Sequence, residues 1–412
     1  MPRTVLHADM NNCYASIEML HHPRLRGHPV AVGGSAEERH GIILARNYEA
    51  RPFGVKVGQA LWQARQLCPD LVIVPPDYDK YMRFSKMFRD ILGSYSPLVE
   101  PFGLDESWVD ISQSLQGRTG GEVADEIRER VKFELGITVS VGVSFNKIFA
   151  KLGSDMKKPD ATTVITEDNF RETVWGLPAA DLLGVGRSTQ KKLQMYNIKT
   201  IGDIARLGAD QLQTWFGKWG LYLYAYAAGL DSSPVREIGD ESAVKSVGNS
   251  TTCPRDLEND EDAHIVFLNL AESVAERMRE LGLQAKTVQI SLRQNDLYWF
   301  ERQTGLERPT FIATELCGAA MKLLRANYDW RKPLRSVGIR GTNLIPIDAP
   351  YQLMLFEDEE KRLKSERIEY ALDDIRRRFG HHSVNRGLLL LDRKLGRLDA
   401  KADNTIHPVG YL

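Results

Sequence analysis

A chain of 412 residues is longer than one ordinary hydrophobic core accommodates, so two to four domains are expected. Its composition, 42% hydrophobic and 26% charged, belongs to a globular protein rather than a disordered one, and no apolar run is long enough to span a bilayer. A formal net charge of −1 gives no overall basic character, but a nucleic-acid binder needs only a basic face, and acidic stretches at 258–262 and 357–360 can mask basic ones in the sum. No secretory leader is visible after Met1, and Cys13, Cys68, Cys253 and Cys317 form no C-x-x-C pair. A cytoplasmic protein without a zinc site or disulfide framework is expected, with no membrane partner.

Residues 4–9 alternate towards an acid and read as a strand, followed by a helix from Ala15. Short β-rich patches at 29–33 and 41–44 precede helical stretches at 59–67 and 81–94. Residues 98–110 read as a hairpin whose turn carries Asp105 and Glu106. An amphipathic helix at 122–135 and a strongly β segment at 137–144 complete the order β, α, β-hairpin, α, β, that of a ferredoxin-like fold with an insertion after its first strand. From 169 to about 234 the texture is short and helical with Gly-containing turns, and 237–244 reads as a linker. A second α+β region follows, with strands at 287–292 and 336–340 and helices at 263–281 and 309–327. The chain then runs through a charged helical tail at 359–379.

The three acids carry the chemistry. Asp9 ends a strand and Asp105 and Glu106 sit in a hairpin turn, so all three can converge at one sheet edge, as phosphoryl transfer requires of carboxylates that hold divalent cations. An Asp-Glu pair in a turn is, by itself, usually just solvated. The longer blocks decide: Asp9 to Glu18 (DMNNCYASIE), Gly103 to Asp110 (GLDESWVD), Asn47 to Val55 (NYEARPFGV), and Ser140 to Pro159 with its SVGVSFNKIFAK core. Together they resemble the Y-family (translesion) DNA polymerases, specifically the polymerase IV branch.

That resemblance implies an α+β multidomain, right-hand architecture. The ferredoxin-like palm would span 1–11 and 78–168, small fingers 12–77, and a helix-hairpin-helix thumb 169–236. A linker (237–244), an α+β little finger (245–345) and a tail (346–412) would follow. It further implies a monomeric, template-directed polymerase that adds dNTPs to a primer end and uses two Mg²⁺ ions, for which Mn²⁺ can substitute. Asp9, Asp105, Glu106 and the backbone carbonyl of Met10 map onto its metal ligands, and Tyr14 onto its steric gate, the ring that blocks a ribose 2′-hydroxyl. Tyr48, Arg51 and Lys158 match its triphosphate contacts, joined by backbone amides at Asn12 and Cys13; the cationic members suit concentrated phosphate charge.

Asn11 departs from an Asp common in the family, Ala45 replaces a hydroxyl-bearing residue, and Ile42 and Leu44 are bulkier than usual fingers residues. In the thumb, Gly184 and Gly186 would let backbone amides approach a DNA phosphate. Lys245, Arg335 and Arg340 are candidate DNA contacts of the little finger, against the plainer reading of solvated charges. Gln352, Leu353, Leu355 and Phe356 (QLMLF) resemble the motif that binds the bacterial sliding clamp, an extended peptide dropping apolar side chains into a groove. Two other functions compete. A catalytically dead scaffold would have lost the acids, and another palm enzyme such as a nucleotide cyclase would need neither thumb nor clamp peptide.

Overall fold

In the computed structural model, which describes residues 3–34, 41–240, 243–350 and 359–398, the first strand, β1 (Val5–Met10), is buried at every position. The chain continues through α1 (Cys13–His21), β2 (Val30–Gly33), β3 (Ile43–Arg46), α2 (Leu61–Leu67) and β4 (Val72–Val74). It then forms α3 (Tyr78–Gly93), β5 (Val99–Pro101), β6 (Glu106–Asp110), α4 (Gly120–Leu135), β7 (Val139–Ser144), α5 (Lys147–Met156) and β8 (Thr162–Ile165). Five short helices follow: α6 (Phe170–Val174), α7 (Arg187–Met195), α8 (Ile201–Leu207), α9 (Ala209–Phe216) and α10 (Lys218–Ala227).

These elements form one of two compact units, comprising residues 3–34 and 42–240. Its main sheet has the order β5-β6-β1-β7-β8, with β1 antiparallel to both neighbours and β8 added in parallel at the edge. Strands β1 and β5–β7 thus have the ferredoxin-like arrangement expected from the element pattern. Helices α3 and α4 supply apolar stripes (Tyr81, Phe84, Phe88 and Leu92; Val123, Ile127 and Val131) to a core shared with β1 and β7. Each such fully buried side chain contributes about 1.5–3 kcal/mol. Helix α4 starts in a reciprocal Thr119–Glu122 capping box and stops at Gly136, whose φ of 71° a side chain would resist. A separate sheet, β3-β2-β4, has its own small core around Ile43, Val55 and Leu61.

Helix α5 was not anticipated by the periodicity. It is capped by the Asn146 side chain, which accepts from Phe149 N at 2.8 Å, and it lies tight against β7. Gly142 permits this approach: a Cβ there would stand 1.9 Å from the Ala150 carbonyl oxygen and 2.5 Å from Ser154 N.

The second unit takes in 243–350 and 359–398. Its elements are β9 (Ser246–Leu257), α11 (Asp260–Glu280), β10 (Leu283–Gln294), β11 (Trp299–Thr310), α12 (Ala313–Asn327), β12 (Leu334–Pro346) and α13 (Glu359–Phe379). The sheet order is β11-β10-β12-β9, and α11 and α12 pack on it through Phe267, Leu270, Leu316 and Leu324. The helix expected from residue 309 begins instead at Ala313, because β11 runs on to Thr310. Pro309 is tolerated since β11 is an edge strand, as is Pro254 in the opposite edge strand β9. Helix α13 joins the unit through charge: Arg279 chelates Asp373 at 2.6 and 2.7 Å and Arg376 reaches Glu272 at 2.9 Å, an acid that Arg386, beyond the helix, also reaches at 2.7 Å. The QLMLF peptide, with Gln352, Leu353, Leu355 and Phe356, lies outside the described residues, as does the linker's centre at 241–242.

Candidate active site

The antiparallel pairing of β1 with β6 sets the end of one strand beside the start of the other. Asp9 and Glu106 are direct cross-strand partners, and Met10 N donates to the Asp105 carbonyl at 2.9 Å. Glu106 therefore opens β6 rather than sharing the turn with Asp105, as the hairpin reading had it. Asp9, Met10, Asp105 and Glu106 all line one cleft of about 420 Å³.

The electrostatics of the acids diverge. Burial, then the charge of Glu106, pushes the Asp9 carboxyl up to about 7, although Lys158 Nζ stands 2.7 Å from it. Burial and Glu106 likewise raise Asp105 to about 6. Burial would raise Glu106 too, but His7 and Lys151 outweigh it and hold that acid at about 2. Lys151 Nζ approaches Glu106 Oε2 at 2.5 Å and His7 Nε2 approaches it at 3.2 Å, while His7 Nδ1 is 2.8 Å from Ser154 Oγ. The contact of His7 Nε2 with Glu106 is poorly aligned for a hydrogen bond. Burial also keeps the His7 imidazole below its ordinary value.

Among the described residues no three His, Cys or carboxylate side chains are already gathered as a metal-ligating group. Asp9 is instead paired with Lys158 and Glu106 with Lys151. The donor set nonetheless fits a divalent cation. Three carboxylates and a backbone carbonyl are hard oxygen ligands, and two of the acids are destabilised as anions where they stand.

Tyr14, on the first turn of α1, stacks on Tyr81 with centroids 4.2 Å apart and planes 7° from parallel. Tyr81 is itself fixed, its hydroxyl donating to Glu18 at 2.9 Å, and Glu18 also accepts from Lys80. The Tyr14 ring thus forms a stiff wall of the cleft. Asn12 caps α1 in the left-handed region (φ 47°) and its Oδ1 accepts from Arg51 at 3.0 Å. Arg51 lies over the Tyr48 ring at 4.1 Å, and the Tyr48 hydroxyl is buried without a hydrogen-bond partner among the described residues. The structure therefore brings Asn12, Cys13, Tyr14, Arg51 and Lys158 onto the same cleft as the acids, with Tyr48 beneath Arg51. Burial holds the Cys13 thiol well above its ordinary value, so it stays protonated. Leu44 and Ala45 also line the cleft, whereas Ile42 is 44% exposed.

Asn11 explains its own departure from Asp. Its amide donates to Ser140 Oγ at 3.0 Å and its carbonyl accepts from Asp160 N at 2.9 Å, a pairing that needs a donor and an acceptor. It thereby ties the loop carrying Lys158 to the end of β1. His7, Lys151, Tyr81 and Arg46 were missed by sequence reasoning. The signals existed: His7 lies two residues before Asp9 on one strand face, and Lys151, Asp155 and Lys158 follow i, i+4, i+7 spacing.

Further along the first unit, Gly184 (φ 85°) has the Trp219 ring where a Cβ would stand, and Gly186 caps α7. In the second unit Lys245 and Arg340 are exposed, and Arg335 is half-buried. Arg340 projects from β12 opposite to the buried Val337 and Ile339, away from the helical layer.

Three family models match the chain: the impB/mucB/samB family over residues 8–155, its C-terminal domain over 244–355, and "DNA polymerase-iota, thumb domain" over 180–231. The chain is 50% identical to a DNA polymerase IV of Acetivibrio thermocellus, over 97% of this chain and 100% of that protein. It is 38% identical to that of Pelotomaculum thermopropionicum (94% of this chain, 95% of that protein) and 36% identical to DNA polymerase IV 1 of Bacillus subtilis (94% and 93%). A solved Y-family DNA polymerase chimera shares the fold with a TM-score of 0.74 at 24% identity, covering 83% of this chain and 99% of its own.

Proposed function

Since the chain belongs to the impB/mucB/samB family, on the polymerase IV branch of the Y-family DNA polymerases, we propose that Asp9, Asp105 and Glu106 form its catalytic centre. Membership makes it a template-directed DNA polymerase of translesion synthesis, which acts on DNA and deoxynucleoside triphosphates and uses a divalent metal. The observation that carries the reading is the cross-strand meeting of Asp9 and Glu106 beside Asp105, in a cleft that also holds Tyr14, Arg51 and Lys158.

Asp9, Asp105, Glu106 and the Met10 carbonyl would hold two Mg²⁺ ions, with Mn²⁺ able to replace them. When bound, such ions activate the primer 3′-hydroxyl and offset the charge of the departing pyrophosphate. The chain's own residues do the rest. Arg51, Lys158 and the Tyr48 hydroxyl bind the triphosphate, with help from backbone amides at Asn12 and Cys13. His7 and Lys151 hold Glu106 below the ordinary carboxylate range, so that acid is ready as a ligand rather than a proton donor. Tyr14, stiffened by Tyr81, excludes the ribose 2′-hydroxyl.

In domain terms, 1–11 and 78–168 act as palm, 12–77 as fingers, 169–236 as thumb and 245–345 as little finger, with 237–244 as the link. The thumb turn at Gly184 and Gly186 and the cations Lys245, Arg335 and Arg340 hold DNA by its phosphates. The QLMLF peptide, Gln352 to Phe356, docks on the bacterial sliding clamp, and the polymerase itself is a cytoplasmic monomer. No helix among the described residues is long and apolar enough to cross a membrane. The test is primer extension with Mg²⁺ by the wild type and by Asp105→Ala. Loss of extension in the variant is expected, and extension that survives would overturn the assignment.

A further inference from the structure

Arg46 ends strand β3 and lines the cleft next to Ala45, yet it belongs to no contact described so far. Its Nε and Nη1 are buried, and among the described residues neither meets a hydrogen-bond acceptor. A guanidinium carries five donors and a charge that is not given up in water, so burying two of its nitrogens without acceptors is costly unless something else satisfies them. The nearby charges worsen the situation. The Arg51 guanidinium repels Arg46, and Tyr48, which feels both arginines, also feels Lys158. Three of the cleft's acids are already engaged, Asp9 and Asp155 by Lys158 and Glu106 by Lys151, and Asp105 forms no ion pair with Arg46. Ala45 beside Arg46 contributes no side-chain hydrogen-bonding group. Arg46, Arg51 and Lys158 therefore line one cleft around a buried, unpartnered hydroxyl, that of Tyr48, and no acid there forms an ion pair with either arginine among the described residues.

We propose that Arg46 is a binding residue for the β,γ-phosphates of the incoming nucleoside triphosphate, a fourth side-chain contact beyond Tyr48, Arg51 and Lys158. The inference rests on the polymerase reading above. A base edge or sugar would satisfy hydrogen bonds but leave two adjacent arginines uncompensated. The terminal phosphates bring the concentrated charge and the several acceptor oxygens that a guanidinium fork matches.

The test uses the full-length protein with Arg46→Ala and Arg46→Lys. In single-nucleotide primer extension, Arg46→Ala is expected to raise KM for dNTP roughly 10- to 100-fold, the worth of one charge-assisted contact. Turnover at saturating dNTP and the Kd for primer–template should be retained. Arg46→Lys, which keeps the charge but loses the fork, should recover part of the loss. Independently, inorganic tripolyphosphate without metal should raise the Tm of the wild type and raise that of Arg46→Ala much less. An unchanged KM and an unchanged tripolyphosphate shift, in a variant whose unliganded Tm is normal, would overturn the proposal. So would a loss confined to primer–template affinity. If Arg46→Ala proves unstable without ligand, Arg46→Lys decides the matter by the same two measurements. A wild type that fails to extend primers condemns the polymerase reading instead, while the tripolyphosphate comparison still judges Arg46.

Discussion

Asp9 and Glu106 face each other across two strands yet titrate at opposite extremes, and the difference lies in what each touches. Asp9, held up to about 7 against an ordinary 3.8, keeps a proton in the folded state that the unfolded chain has released. Its contribution to stability is therefore lost as pH rises from about 4 to 7. Glu106, held near 2 against 4.5, runs the other way: its stabilisation is present above the ordinary value and lost as pH falls towards 2. Asp9→Asn should then raise the Tm of the metal-free protein by about 2–4 °C at pH 8 and leave it nearly unchanged at pH 4. Calorimetry in EDTA checks this, and a variant less stable at pH 8 would mean that pairing with Lys158 dominates. Tyr14→Ala should raise ribonucleotide use relative to dNTP by at least about tenfold, since a shape barrier disappears with its ring. Unchanged discrimination in competitive incorporation would remove Tyr14 from that role. At this scale the motif residues were legible because their neighbours in sequence are their neighbours in the cleft. Lys151 and Arg46 were not, because their meaning depends on which partner, or absence of partner, folding provides.

Among elements, strands with a clear two-residue alternation and helices with a strong apolar stripe were readable: β1, the β5–β6 hairpin, α3 and α4. Helix α5 was not, although it carries Lys151: it is short, and the cations of its polar stripe, Lys147 and Lys151, are spent on Glu100 and Glu106 rather than left in open solvent. The long edge strands β9 and β11 hid behind Pro254 and Pro309, which normally argue against a strand but are harmless where one side of the ladder is open. Position 142 shows how little slack α5 has. Gly142→Ala drives a methyl into the helix backbone rather than into a flexible side chain. A destabilisation of about 2–4 kcal/mol by urea unfolding is expected, with loss of activity as α5 shifts Lys151. A neutral effect would show that α5 can retreat from β7 at no cost.

For the whole molecule, a net charge of −1 does not show where basic groups lie. The second unit resolves part of that. Its buried acids, Glu272, Glu369 and Asp373, are consumed by Arg279, Arg376 and Arg386, while Lys245 and Arg340 are exposed. Replacing Lys245 or Arg340 by Ala should weaken binding to duplexes of any sequence alike, and lower the slope of log affinity against log salt by about 1 for each lost phosphate contact. Anisotropy titrations across a range of salt would show it, and an unaltered slope would return that residue to the solvated surface. The Lys158–Asp9 pair has a consequence at this scale as well. A single ammonium cannot fully neutralise both a carboxylate and a nucleotide's phosphates. If, as proposed, nucleotide binds Lys158 and a cation binds Asp9, nucleotide would leave Asp9 with charge to offer the cation, and the cation would free Lys158 for nucleotide. Each ligand would then raise the other's affinity by the same factor. Loading of the cleft would be cooperative through the exchange of one partner.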